Sequence, residues 1–510
     1  MTLPPKRFLS SLPAIGTGFI GTAIVAMASS AESALLAITA VFGIAFASVV
    51  ILFPELGFLA TSFVVPIERL GRFGDDSTVH FISLMRIVGA ITLASVLLHM
   101  AIRKQELKLD VPIFLYTGFF LVSLIGLSYA QDPLATEGHV TTILGNLMFF
   151  FLIINVVRSW SLARLAVRVW IVATVLIALY TVFDWYLGDV ISASHIGDTA
   201  YRFSTVWNST SEQNYIGAVR RAMGTTSNAA VYGINLILTL PFIFYLFRST
   251  QSKGWRLVIL LSGLLILYNL LLTNTRAVMV FAPLTILLCG FRRLYQVTPG
   301  MLLTILLVGG GGLALVVPDS VYKRALDPAN YSSEHSNNIT ARFALWATGL
   351  RVVHDNWLIG IGAGNRTVLA ESMHHPDFDP DSISVHNEYL QTMIDTGIFG
   401  WAFFIAFLGW VMWYSFRLAA LFRKHPETEE QYWFMIACQI AMISVALFAV
   451  QVDVFHFPLK GWWLVAGLVC AMHLIVRESE NSLQASESMQ STKDASTQRL
   501  GKPETHHDKT

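Results

Sequence analysis

Apolar runs of about twenty residues, each closed by a short polar or charged cluster, recur along almost the whole chain. A helix rising ~1.5 Å per residue needs roughly twenty residues to cross ~30 Å of hydrocarbon. The pattern therefore predicts spans near Leu12 to Ala28, Ser33 to Phe53, His80 to Ile102, Pro112 to Ala130, Val140 to Val157, Leu165 to Leu187 and Asn228 to Phe247. It continues with Leu257 to Thr273, Ala277 to Gly290, Pro299 to Val317, Ile398 to Arg417, Trp433 to Val450 and Pro458 to Val476. The expectation is an all-α, polytopic transmembrane helical bundle of about 12–14 spans.

Two interruptions are too long to be simple connectors, 188–227 and 318–397. The second has a helical period of its own: Phe343, Trp346, Leu350 and Val353 share a face that leaves Arg342 and Arg351 elsewhere. The organisation that follows is a bundle over 1–317, a large, partly helical outer loop over 318–397, closing spans over 398–476, and a tail over 477–510. The tail is rich in Ser, Gln, Glu and Lys, and its composition predicts disorder.

Lys and Arg collect in short loops on the untranslocated side of a membrane. The basic connections 103–108, 158–168, 248–256, 291–296 and 417–424 fall on one side by alternation, and that side reads as cytoplasmic. Lys6 on the same side and His80 on the other leave one crossing unaccounted for: either the short run Leu56 to Ile67 supplies it, which is the favoured expectation, or the amino terminus lies outside. Composition agrees with a membrane protein: 54% of residues are hydrophobic and 13% charged, too little polar surface for a soluble globule of this size. A net charge of +1 gives no basic excess to argue for nucleic acid. Cys289, Cys438 and Cys470 all fall inside spans, where they read as small apolar side chains. Lys6 and Arg7 before the first run resemble a signal peptide, but the many later spans favour an uncleaved helix.

Several polar clusters interrupt the apolar pattern. Arg276, in "LLTNTRAVMVF", sits in a very short turn at the outer boundary, either snorkelling to the interface or serving as a bidentate phosphate donor. Arg220 and Arg221 precede Gly224, Thr225, Thr226, Ser227 and Asn228, which open a helix: an anion site or an ordinary cap. Gly360, Gly362 and Gly364 follow a helix rather than a strand, which excludes a dinucleotide fingerprint and favours a turn built for close packing. His374, His375, Asp377, Asp379, Asp381 and His386 lack the spacing of a calcium loop and read as a solvated stretch, with no metal site assigned. Asp453 and Lys460 read as an ion pair beside His456. His386 differs from the loop histidines. With Asn387 and Glu388 it starts a helix that runs into a span, so an imidazole suited to proton transfer faces the outer vestibule from a rigid element.

Together, "NTRA", "RFALWATGLRVVHDNWLIGIGAGN" and "HNEYLQTMIDTGIFG" resemble the O-antigen ligase and O-antigen polymerase family of bacterial membrane glycosyltransferases. The family's ordered pattern of an Arg, a Trp, a "GIG" turn and "HNxxLQ…GxxG" is matched by Arg342, Trp346, Gly360, Gly362, His386, Asn387, Leu390, Gln391, Gly397 and Gly400. Upstream, Arg221, Gly224 and Asn228 match, while the Asn-Pro pair common there is absent. The resemblance implies a GT-C-like fold in the bacterial inner membrane. It implies transfer of a glycan from a polyprenyl diphosphate carrier, on the periplasmic side, to a lipid A-core or lipid-linked glycan acceptor alongside polysaccharide-assembly proteins.

Such a donor arrives already activated, so the site needs fixed positive charge for the departing diphosphate and a base for the acceptor hydroxyl. Arg276 and Arg221, with Arg342 and Arg220 beside them, are expected in the first role. His386, oriented by Asn387 or Glu388, takes the second, and no cofactor is called for. A transporter or flippase would place its ionisable groups near the bilayer midplane or show paired halves. A non-catalytic assembly scaffold would leave the outer arginines replaceable.

Overall fold

The computed structural model describes residues 31–67, 72–73, 82–192, 206–208, 220–226, 228–295, 339–364, 385–452 and 459–500. The expected spans Leu12 to Ala28 and Pro299 to Val317 lie outside them. The architecture is all-α. Helices α1 (Ala31–Leu52), α2 (Pro54–Val64), α3 (Leu84–Arg103), α4 (Val111–Ile125), α5 (Pro133–Val156) and α6 (Trp160–Ser192) lead to α7 (Ala229–Ser249), α8 (Lys253–Leu272) and α9 (Arg276–Phe291). After them come α10 (Ile339–Asp355), α11 (Glu388–Phe422), α12 (Glu429–Phe448) and α13 (Lys460–Leu500). Among the described residues the only strands are two small antiparallel hairpins, β1 (Arg72–Phe73) with β2 (Ile82–Ser83) and β3 (Val206–Asn208) with β4 (Arg220–Ala222). Nine described helical stretches are long and apolar enough to cross a membrane.

Polar residues between the runs start the helices. The side chains of Ser83, Asp110, Asp132 and Asn228 accept hydrogen bonds from the first backbone N–H groups of α3, α4, α5 and α7. Aromatic packing then holds the spans together. Phe407 of α11 stacks on Trp463 of α13 at 5.5 Å, and Tyr116 of α4 and Phe150 of α5 close around them. Small residues let the helices approach: a Cβ added at Gly467 would lie 2.8 Å from the Ile153 side chain.

The basic connections meet at one end of this bundle. Lys108 pairs with Glu478 at 2.7 Å, Arg164 with Glu430 at 3.0 Å, and Arg248 with Glu429 at 3.6 Å, while Arg292 donates to Gln439 at 2.9 Å. Partly exposed pairs of this kind contribute about 0–1 kcal/mol each. Their value here is positional: loops distant in sequence share one face.

Two expectations change. α2 covers only eleven residues, ~16 Å of rise, so it cannot by itself supply the missing crossing. α13 runs on through Arg477 to Leu500, where an irregular tail was expected. From Leu468 to Leu500 the chain contains neither Gly nor Pro, so nothing in the backbone stops a helix once the span has nucleated it.

Candidate functional site

At the end opposite the basic loops, β4 packs over the end of α8, with Arg221 paired in register to Trp207 of β3. The turn that follows α8 is held by its own hydroxyls: Thr273 donates to the Leu270 carbonyl at 2.7 Å and Thr275 to the Thr273 carbonyl at 3.0 Å. α9 then begins at Arg276 itself. Burial, and then the nearby charge of Arg276, hold the Arg221 guanidinium below its ordinary pKa. The two arginines expected to bind diphosphate thus stand within electrostatic reach of one another, at a helix N-terminus whose unpaired N–H groups add partial positive charge. The backbone of Arg220 lies on the same strand and that of Arg342 on α10, but their side chains lie outside the described residues.

The segment between Arg221 and α7 behaves as a cap. Asn228 Oδ1 accepts from Ala230 N at 2.7 Å, and the Thr226 hydroxyl donates to the Met223 carbonyl at 2.7 Å. Thr225 donates to the carbonyl of Pro66, tying this segment to the residues that follow α2.

His386 is fixed from both sides. Ahead of it, the Trp346 indole of α10 donates to the Val385 carbonyl at 2.9 Å. Behind it, Asn387 caps α11, its Oδ1 accepting from Tyr389 N and Leu390 N at 3.1 Å each. His386 takes a left-handed backbone, φ 52°, and its side chain is half-buried. It therefore precedes the helix instead of belonging to it.

α11 breaks at Gly397, φ 61° and ψ −165°, which separates a short segment, 388–396, from the long span. The glycine turn after α10 is clamped into this break. Ile361 N donates to Ile394 O at 2.9 Å, Gly362 N to Asp395 O at 3.0 Å, and Ile398 N to Trp357 O at 2.8 Å. A Cβ on Gly360 would lie 2.5 Å from backbone atoms of Ile394, Asp395 and Thr396. The "GIGAG" string is thus a backbone-to-backbone contact, the packing role read from its place after a helix. The Tyr129 hydroxyl seals the same contact by donating to Ile359 O at 2.6 Å.

The imidazole and the arginine pair lie at the same end of adjoining helices. Glu388 N donates to Ala449 O at 2.9 Å and Tyr389 OH to Ala446 O at 2.7 Å, which seats the start of α11 on the end of α12. α12 in turn packs on α9, with Phe448 against Phe281 at 5.2 Å, little more than one helical turn from Arg276.

A buried polar group that the sequence analysis does not single out lies beneath this end. Glu388 is fully buried within electrostatic reach of Tyr116, which lies beside Asn146, and Lys460 Nζ donates to Asn146 Oδ1. The expected partner of Lys460, Asp453, lies outside the described residues, as does His456. Asn146 inside an apolar span was the available signal, since polar groups at that depth are costly unless they are used. Asn274 is a second polar side chain that the apolar pattern does not mark. It is fully buried with φ 47°, and neither end of its carboxamide has a hydrogen-bond partner among the described residues. Among those residues no three His, Cys, Asp or Glu side chains gather as a metal site, and the run from His374 to Asp381 lies outside them.

No curated protein matches the chain. Residues 261–405 match the family model of the O-antigen ligases. That stretch runs from within α8, through Arg276, to His386 and the Gly397 break. The chain thus carries, on a multi-pass helical bundle, a stretch similar to the O-antigen ligases.

Proposed function

We propose that the protein is a glycosyltransferase of the bacterial inner membrane, moving a glycan from a polyprenyl diphosphate carrier to an acceptor hydroxyl on the periplasmic side. The acceptor oxygen bonds to the anomeric carbon as the bond from that carbon to the diphosphate oxygen breaks. The electron pair leaves on the diphosphate, where Arg276 and Arg221 stabilise the growing charge. His386 takes the proton from the acceptor hydroxyl. Asn387 acts on the imidazole by fixing the start of α11. Lipid A-core and a second lipid-linked glycan are the acceptors that suit such a site.

The observation that carries this reading is that Arg221 lies within electrostatic reach of Arg276 at the end of the bundle that also holds His386. Two like charges brought together at a helix N-terminus form a site for a doubly charged group. The test is glycan transfer by His386→Ala and Arg276→Ala proteins that insert normally, each expected to lose ~10²-fold or more in rate. Near-normal turnover in both removes the mechanism. Deletion of the protein then separates the acceptors: naked core with accumulated long carrier-linked chains identifies a ligase, and single-repeat products identify a polymerase.

A further inference from the structure

A pocket of about 540 Å³ opens at the basic end of the bundle, between α11, α13 and the start of α4. Two helical stripes form its walls. Trp410, Trp413, Arg417 and Lys424 follow one another along α11 and the turn after it, and His473, Arg477 and Glu480 along α13. The first stripe changes character over a rise of ~21 Å. Its deeper part, on the span, is a pair of part-exposed tryptophans in edge contact at 5.5 Å. Toward the helix end it becomes cationic, with the Arg417 guanidinium 5.7 Å over the Trp413 ring.

Other cations at this end are paired with acids, Lys108 with Glu478 and Arg164 with Glu430. Arg417, Lys424 and Arg477 have no ion-pair partner among the described residues. Their charges converge: His473 lies within electrostatic reach of Asp110, Arg417, Arg477 and Glu480 together. Three cations against the carboxylates of Asp110 and Glu480 leave one positive charge in surplus. Asp110 is 5% exposed, and only one of its oxygens is used. Oδ1 accepts from Val111 N and from the Tyr414 hydroxyl, each at 2.9 Å, beneath the His473 ring stacked on Tyr414 at 3.7 Å. Oδ2 is buried with no hydrogen-bond partner among the described residues. A buried carboxylate oxygen without a donor is costly, so the pocket suits a ligand that brings hydroxyl donors along with its anion.

We propose that this pocket binds the headgroup of an anionic glycerophospholipid of the phosphatidylglycerol class. The phosphodiester sits among Arg417, Lys424 and Arg477, with the free hydroxyls of the head toward Asp110. Its single negative charge matches the surplus of the pocket, which a diphosphate would exceed. Tryptophan favours the level where headgroups meet acyl chains, so a lipid whose phosphate reaches Arg417 lays its chains along Trp410 and Trp413. That gradient from aromatic to cationic fits a lipid and gives a soluble phosphate nothing to match. The site is independent of the proposed transfer reaction and lies at the other end of the bundle from its arginines.

The experiment uses the full-length protein in detergent, with native mass spectrometry reading retention of phosphatidylglycerol, phosphatidylethanolamine and inorganic phosphate. Wild type should hold phosphatidylglycerol about fivefold more tightly than phosphatidylethanolamine. Arg417→Gln and Arg477→Gln alter exposed side chains and should each weaken phosphatidylglycerol about fivefold. Arg276→Gln and His386→Ala should bind it as wild type does, even where transfer is lost. Equal retention of the two lipids, no loss in either pocket variant, or loss in Arg276→Gln overturns the proposal. Displacement of the lipid by inorganic phosphate overturns it in favour of a soluble anion. Thermal melting adds a second reading: phosphatidylglycerol should raise the melting temperature of wild type more than that of Arg417→Gln, and an equal rise counts against the site.

Discussion

Arg221 on a hairpin strand and Arg276 at the first turn of α9 stand close enough for the charge of one to lower the pKa of the other. Placing two guanidinium groups together in a partly desolvated wall is unfavourable in the absence of an anion. A diphosphate reverses the sign of that interaction. In the proposed reaction, binding and leaving-group stabilisation belong to the pair, and the variants below probe it as a unit.

Arg221→Lys should make the reaction sensitive to alkaline pH. An ordinary lysine titrates near 10.4, and the burial and the Arg276 charge that lower Arg221 will lower a lysine there too. The ammonium is charged below its depressed pKa, so donor binding is present at low pH and lost as pH rises through that value. Wild-type guanidinium stays charged across the same range. The check is KM for donor against pH: a rise on the alkaline side in the variant and a flat profile in wild type.

Arg221→Gln and Arg276→Gln should each cost ~10²-fold in kcat/KM. The double variant should lose much less than the product of the two, since groups that hold one anion together do not act independently. Strictly multiplicative losses in a double-mutant cycle would show that the arginines serve different ligands.

Asn274→Gly isolates the carboxamide from the backbone it sits on. Glycine tolerates φ 47° as readily as asparagine does, so the turn before Arg276 is kept. The buried amide, which carries a desolvation cost of about 1–3 kcal/mol for each unsatisfied group, is removed. The variant should therefore match or exceed wild type in thermal stability. A raised KM for donor in that stable protein would show that the amide is satisfied by substrate, and an unchanged KM that it serves only the turn.

Asn387→Ala removes both cap bonds to α11 and should lower stability by about 1 kcal/mol. Because His386 is the next residue, kcat should fall while donor KM changes little. Asn387→Asp, which keeps the capping oxygen, should restore most of the loss.

Gly397→Ala should be far more damaging than its size suggests. The position needs φ 61° for the break in α11, and an added Cβ would meet the Leu358 and Ile359 backbone. The glycine turn would then lose its seat. Reduced membrane levels with Gly397→Ala, set against normal levels for an alanine at the open position Gly409, provide the measurement.

The apolar runs by themselves determined that the chain is a helical bundle, and close to where most of its described helices begin and end. Twenty-residue hydrophobic stretches have one way to satisfy their backbone in hydrocarbon, and the Ser, Asp and Asn caps lie beside them in sequence. The places of Arg276, Arg221 and His386 at the ends of helices were also legible, because charge and imidazole stand out there against apolar neighbours. What only the tertiary structure decided is how distant stretches meet. The approach of Arg221 to Arg276, the clamp of the Gly360 turn into the Gly397 break, the Glu388–Tyr116–Asn146–Lys460 group and the pocket between α4, α11 and α13 all depend on it. These contacts join residues far apart in the chain. A local pattern records hydrophobicity and backbone preference, whereas the depth at which two helices cross is set by packing among side chains that the pattern cannot pair.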